Sequence, residues 1–229
     1  MRKMINKNYT ELILKGIKAG DQIGGSFELA KILSESLISN NSFKEDKLRS
    51  RYLSWWKNDA FDTGPTYASV FTKINNGIVP ELAVKRVHEE FGFNTAGCGP
   101  AHRAAPLAGL TNISTNELVS IARQEAKITH YDDDAGNGSA IVVLLCRYLL
   151  EGKSYQDAQK LILGNLYLKE CWIKIKEANL RPDGYIFNVI HCALHFIDNN
   201  KSLEDTLKFA GKANYCPIIF SVVKTCMSK

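Results

Sequence analysis

The stretch Ala140-Ile141-Val142-Val143-Leu144-Leu145-Cys146-Arg147-Tyr148-Leu149-Leu150 decides the fold. Ile141, Leu144, Leu145, Tyr148 and Leu149 fall at i, i+3, i+4, i+7 and i+8, which is helical spacing. From Ala140 to Cys146 every residue is apolar, so no side of this helix suits water, and it belongs at the centre of a bundle. Working outward, Ile190, Ala193, Leu194 and Ile197 repeat the helical spacing. The sequence predicts helices over 9–20, 26–39, 44–57, 65–76, 80–90, 115–128, 135–151, 155–169, 184–198, 202–213 and 216–226. Ser42-x-x-Glu45 and Ser114-x-x-Glu117 match the capping box, in which a hydroxyl and an acid satisfy helix-start N–H groups reciprocally. Ser154-x-x-Asp157 and Ser202-x-x-Asp205 carry a shorter acid. No alternating run of strand residues stands between turns. Repeats and low-complexity tracts are absent, and Asn179 to Gly184 reads as a loop. The expectation is one all-α domain over 1–229, a compact multi-helix bundle.

Composition narrows the function. The chain has 229 residues, 45% of them hydrophobic, which is enough for a sizeable core. Its net charge of +5 comes from 29 basic and 24 acidic residues without a basic run interleaved with aromatics, which argues against a nucleic-acid partner. No apolar run approaches the ~20 residues of a membrane span, and residues 1–8 lack the apolar centre of a signal peptide. The six cysteines form no Cys-x-x-Cys pair, and several sit in apolar helical contexts, as small buried hydrophobes of a reducing compartment do. A cytoplasmic protein with no membrane partner is expected.

Four polar constellations interrupt this pattern. In Gly20-Asp21-Gln22-Ile23-Gly24-Gly25-Ser26-Phe27-Glu28, Asp21 and Glu28 are carboxylates presented from a turn and a helix start; the same residues also suit an ordinary helix–helix connection. In Asp59-Ala60-Phe61-Asp62-Thr63-Gly64-Pro65-Thr66, Asp62 and Thr63 offer hard oxygens that suit Mg²⁺ or Mn²⁺, or they cap the helix that Pro65 begins. In Gly97-Cys98-Gly99-Pro100-Ala101-His102-Arg103-Ala104-Ala105-Pro106, amides between glycines can face an anionic or sugar ligand. His102 and Arg103 follow at once, and Arg103 either clamps a phosphate or pairs with a structural acid. In His130-Tyr131-Asp132-Asp133-Asp134, an imidazole precedes three mutually repelling carboxylates, where capping needs only one. His88, His191 and His195 lack such neighbours.

In this order and spacing the four blocks resemble the ADP-ribosylglycohydrolase family, which includes dinitrogenase-reductase-activating glycohydrolases and J-type crystallins. The resemblance implies a compact all-α fold with a binuclear Mg²⁺ or Mn²⁺ site. It implies hydrolysis of the glycosidic bond between ADP-ribose and a protein side chain or related conjugate. Carried over by position, Asp62 with Thr63 matches the first metal-binding motif, and His130 and Asp132 match the histidine turn by the substrate; Asp62, Thr63 and Asp132 are the metal-ligand candidates, for two ions or for one. Glu28 and Asp21 are the acid/base candidates. Gly97, Cys98, Gly99, His102, Arg103 and His130 would bind substrate. An ADP-ribosylated protein or an ADP-ribose-like small molecule would be the partner. The family's C-terminal Gly-Asp-x-Asp-Thr motif is replaced by Gly211-Lys212-Ala213-Asn214-Tyr215, where Asn214 offers one neutral oxygen, and no aspartate follows Asp205. The alternative is a catalytically inactive family member that binds ADP-ribose or a nucleotide, or has a structural or regulatory role.

Overall fold

The computed structural model describes residues 5–211 and 215–229. Among them are thirteen α-helices and no β-strand: α1 Lys7–Gly20, α2 Gly25–Asn40, α3 Glu45–Asn58, α4 Pro65–Asn75, α5 Pro80–Glu90, α6 Gly99–Arg103, α7 Thr115–Lys127, α8 Asp133–Leu150, α9 Tyr155–Leu163, α10 Lys169–Lys176, α11 Ile186–Asp198, α12 Leu203–Ala210 and α13 Cys216–Met227. A 3₁₀ turn covers Ala105–Gly109.

The helix read as central is central. Residues Ala140 to Cys146 are fully buried, and α8 packs against α6, α7, α9, α10, α11 and α13. α1 lies along α13, and the approach is close because Gly16 and Gly20 of α1 lack side chains. A Cβ on Gly20 would stand 2.3 Å from the Pro217 carbonyl oxygen. α2 crosses from α1 towards α6, and α3, α4 and α5 follow one another along one flank. There Val70, Val84 and Val87 form a small core of their own beside the main one.

Three sequence expectations change. Residues 155–169 do not form one helix: α9 ends at Leu163, and α10 begins at Lys169. α6 and, beyond Lys169, α10 occupy stretches outside the predicted helices. The Ser42–Glu45 capping box does not form, because α3 starts at Glu45 itself and Lys44 takes the cap position; the Ser42 hydroxyl donates to the Asn40 carbonyl instead. The shorter acid at Asp205 completes a full reciprocal box with Ser202. The end of the predicted 202–213 helix, including Asn214 just beyond it, falls largely outside the described residues.

Two devices position the glycine-rich block. Arg147 on α8 donates to the carbonyls of Ala108 (2.9 Å) and Leu110 (2.6 Å), pinning the end of the 3₁₀ turn. On the other side, Cys98 N–H donates to Gly184 and Ile186 N–H donates to Ala96, each at 3.0 Å. The 179–184 loop is thereby stitched to the block.

Candidate functional site

A cleft of about 410 Å³ opens between the α1–α2 turn, the start of α4, α6 and the 179–184 loop. That lies in the usual range for a small-molecule site, about 300–1,000 Å³. It gathers residues from distant parts of the sequence. Asp62, Thr63 and Thr66 form one wall; Gly97, Cys98 and Gly99 form another; His102, Arg103 and His130 stand behind them; Tyr67 and Tyr215 add aromatic surface. Eight of the eleven sequence candidates therefore meet in one place. Asp21, Glu28 and Asp132 are not among its lining residues.

Asp62 reaches the cleft through a tight turn. Its φ is +50°, a left-handed conformation that aspartate tolerates better than most residues. The Phe61–Asp62 main chain rests on the first residue of α2, where a Cβ on Gly25 would stand 2.7 Å from the Asp62 carbonyl oxygen and 2.8 Å from that of Phe61. The glycine at 25 is therefore what sets the depth of Asp62.

Asp21 works beneath the cleft. Its Oδ1 accepts from the N–H groups of Ile23 and Gly24, and its Oδ2 accepts from that of Phe27 at 2.7 Å. One carboxylate thus holds the turn and caps α2. Glu28 lies one turn further on, 3.5 Å from Lys31 on the surface.

The three aspartates after Tyr131 each have a local role. Asp132 caps α8 by accepting from Asp134 N–H at 2.9 Å. Asp133 pairs with Lys127 at 3.1 Å. Asp134 accepts from the Tyr185 hydroxyl at 2.9 Å, tying the start of α8 to the loop beside the cleft.

Arg103 is almost wholly buried. Its Nε donates to Glu125 Oε1 at 2.6 Å and its Nη2 to Thr129 Oγ1 at 2.9 Å. The guanidinium lies over the rings of Tyr52 and Tyr67, 5.4 and 5.9 Å from their centroids. Burial alone would lower its pKa, but Glu125 and then Tyr52 outweigh that and leave it raised. The guanidinium is therefore a charged strut under the glycine block, partnered by a structural acid. Glu125 was not anticipated from the sequence. It falls seven residues after Leu118 on the stripe that carries Ile121 and Ala122, so a carboxylate on the buried face of α7 was the available signal.

Both cleft histidines are held neutral. Burial, and then the charge of Arg103, push His130 down to about 3. Burial pushes His102 down to about 4, against an opposing pull from Asp21 and a hydrogen bond with the Tyr215 main chain. Among the described residues, His102 Nε2 is buried without a hydrogen-bond partner. Cys98 is no nucleophile at neutral pH, because burial pushes its thiol up to about 12.

A Mg²⁺ or Mn²⁺ pair requires several oxygen ligands, carboxylates foremost. Among the described residues, Asp62 is the one carboxylate lining the cleft, and no three His, Cys, Asp or Glu side chains converge to hold an ion. The sequence has no Asp or Glu after position 205, so residues 212–214 add none. The donor set does not fit the binuclear centre that the resemblance implies.

Among the described residues, an all-helical bundle sets a polar cleft against the glycine-rich block. The family model for ADP-ribosylglycohydrolase matches residues 3–213, and the chain belongs to that family. A solved structure described as an ADP-ribosylglycohydrolase-related protein complex is similar in fold, with a TM-score of 0.73 at 19% identity, covering 97% of this chain and 89% of the other. No curated protein sequence matches. Membership suggests glycohydrolase-type activity. Among the described residues no helix is long and apolar enough to cross a membrane.

Proposed function

We propose that the cleft binds the ADP-ribose part of a conjugate and that the chain hydrolyses the glycosidic bond joining it to its carrier. Asp62 carries the reading: it is the one carboxylate that the described cleft residues present. In the reaction, water adds to the ribose anomeric carbon and Asp62 takes a proton from it. The carrier nitrogen or oxygen leaves with the bonding electron pair and takes up the proton that Asp62 received. Thr63, Thr66 and the amides around Cys98 supply hydrogen bonds that orient the sugar and phosphate oxygens. Six buried cysteines without a disulfide support a reducing compartment such as the cytoplasm.

The second reading is ligand binding without turnover, favoured by the same solitary carboxylate, since glycoside hydrolysis is commonly shared between two. The test is release of ADP-ribose from ADP-ribosylated protein by the native chain and by Asp62→Asn, each with and without EDTA. Release that survives EDTA and disappears in Asp62→Asn supports the proposal. Release lost in EDTA overturns the assignment of water activation to Asp62 alone. No release, together with thermal stabilisation of the chain by ADP-ribose, establishes the second reading.

A further inference from the structure

Behind the glycine block a line of buried polar groups ends at the cleft. Tyr52 Oη donates to Glu125 Oε1 at 3.0 Å, and Arg103 Nε donates to the same oxygen. Arg103 Nη2 then donates to Thr129 Oγ1, which lies 2.7 Å from His130 Nδ1. Thr129 is fully buried, so its hydroxyl has no recourse to water.

The direction of these bonds follows from counting hydrogens. A guanidinium has donors only, so Thr129 Oγ1 accepts from Arg103. The hydroxyl has one hydrogen of its own, and leaving it unpaired in the interior costs about 1–3 kcal/mol. His130 Nδ1 is the acceptor beside it. An Nδ1 that accepts carries a lone pair, so in the neutral ring the hydrogen sits on Nε2. That nitrogen faces the glycine block, where a Cβ on Gly97 would stand 3.1 Å from it. Any larger residue at 97 would press on the ring edge.

We infer that Arg103 and Thr129 are positioning residues that fix His130 with its hydrogen on Nε2, so that the cleft offers its ligand an imidazole N–H donor. The ligand group that fits is an oxygen acceptor, such as a ribose hydroxyl or a phosphate oxygen. A protonated Nε2 has no lone pair, so it neither coordinates a metal nor takes a proton from water. Arg103 thus serves the ligand at one remove, by orienting the hydroxyl that orients the ring. The ligand half of this inference rests on the cleft being the ADP-ribose site; the tautomer half holds for the free protein.

The test is long-range ¹H–¹⁵N NMR of the imidazoles in the ligand-free chain at neutral pH, with His130 assigned by the loss of its signals in His130→Gln. The expected spectrum shows Nδ1 in the unprotonated range and Nε2 in the protonated range. Thr129→Ser should leave this pattern intact, and Thr129→Val should move the ring towards the other tautomer or a mixture. Protonated Nδ1 in the native chain overturns the inference, as does a Thr129→Val spectrum identical to the native one. The native and Thr129→Ser spectra suffice to judge the tautomer if Thr129→Val does not fold. A shift of the Nε2 signal on adding ADP-ribose supports the ligand half. The inferred tautomer without any such shift overturns the ADP-ribose reading of the cleft and leaves the positioning roles standing.

Discussion

Arg103 Nε and Glu125 Oε1 stand 2.6 Å apart with side-chain exposures of 1% and 0%, so the ion pair under the cleft is cut off from water. Such a pair adds little net stability over a well-packed apolar pair, but breaking it strands a buried charge. Glu125→Ala should therefore destabilise the chain by about 3–5 kcal/mol, measured by urea denaturation. The double variant Arg103→Met with Glu125→Leu should recover much of that loss while weakening ligand binding in the cleft. A double variant as unstable as Glu125→Ala would show that Arg103 is held by more than its charge.

The two neutral histidines give the fold an acid liability. An unfolded histidine takes up a proton near pH 6.5, whereas folded His102 and His130 resist until about pH 4 and about pH 3. Below pH 6.5 the unfolded state binds more protons, so stability falls as pH falls. The loss continues down to the folded pKa values and then levels off. Between pH 7 and pH 5 each histidine should cost about 2 kcal/mol. Denaturation at the two pH values should show the drop in the native chain and a smaller one in His102→Gln. An equal drop in both would place the acid sensitivity elsewhere.

The bundle was legible because helical spacing and caps are local. The run at Ala140–Cys146 announced its own burial, and Ser114, Ser154 and Ser202 each cap the helix that follows them. α6 escaped notice because five residues starting at Gly99-Pro100 are too short to show a period. The cleft was legible where glycines and histidines cluster in sequence. It was illegible where a partner lies across the fold. Arg103 and Glu125 are 22 residues apart, and spacing cannot reveal that pair. The aspartates at 132–134 show a related limit: three adjacent charges suggest one site, yet a cap, Lys127 and Tyr185 each engage one of them.

Gly25 should be a sensitive position for activity despite having no side chain. A methyl group there would meet the Asp62 carbonyl oxygen at 2.7 Å and the Asp62 Cβ at 2.9 Å. These contacts are too close to persist, and backbone must move. Gly25→Ala should cost about 1–3 kcal/mol as an overpacking change and should displace Asp62. Activity or ADP-ribose affinity should fall further than stability does, which a titration on the still-folded fraction would show. Unchanged ligand binding would mean that the depth of Asp62 does not matter to the ligand.

Asp21 and Glu28 separate a structural carboxylate from a surface one, and neither lines the cleft. Asp21 accepts three main-chain N–H bonds and holds the entry to α2. Asp21→Ala should lose about 1–2 kcal/mol, as helix-cap removals do. Its effect on turnover should track the loss of folded protein, and Asp21→Asn should restore part of both. Glu28 has a long, partly exposed contact with Lys31, and such surface pairs contribute about 0–1 kcal/mol. Glu28→Gln should therefore leave stability and turnover near native. If Glu28→Gln abolished turnover in a fully folded chain, the acid/base work would belong to α2, and Asp62 would become a binding residue.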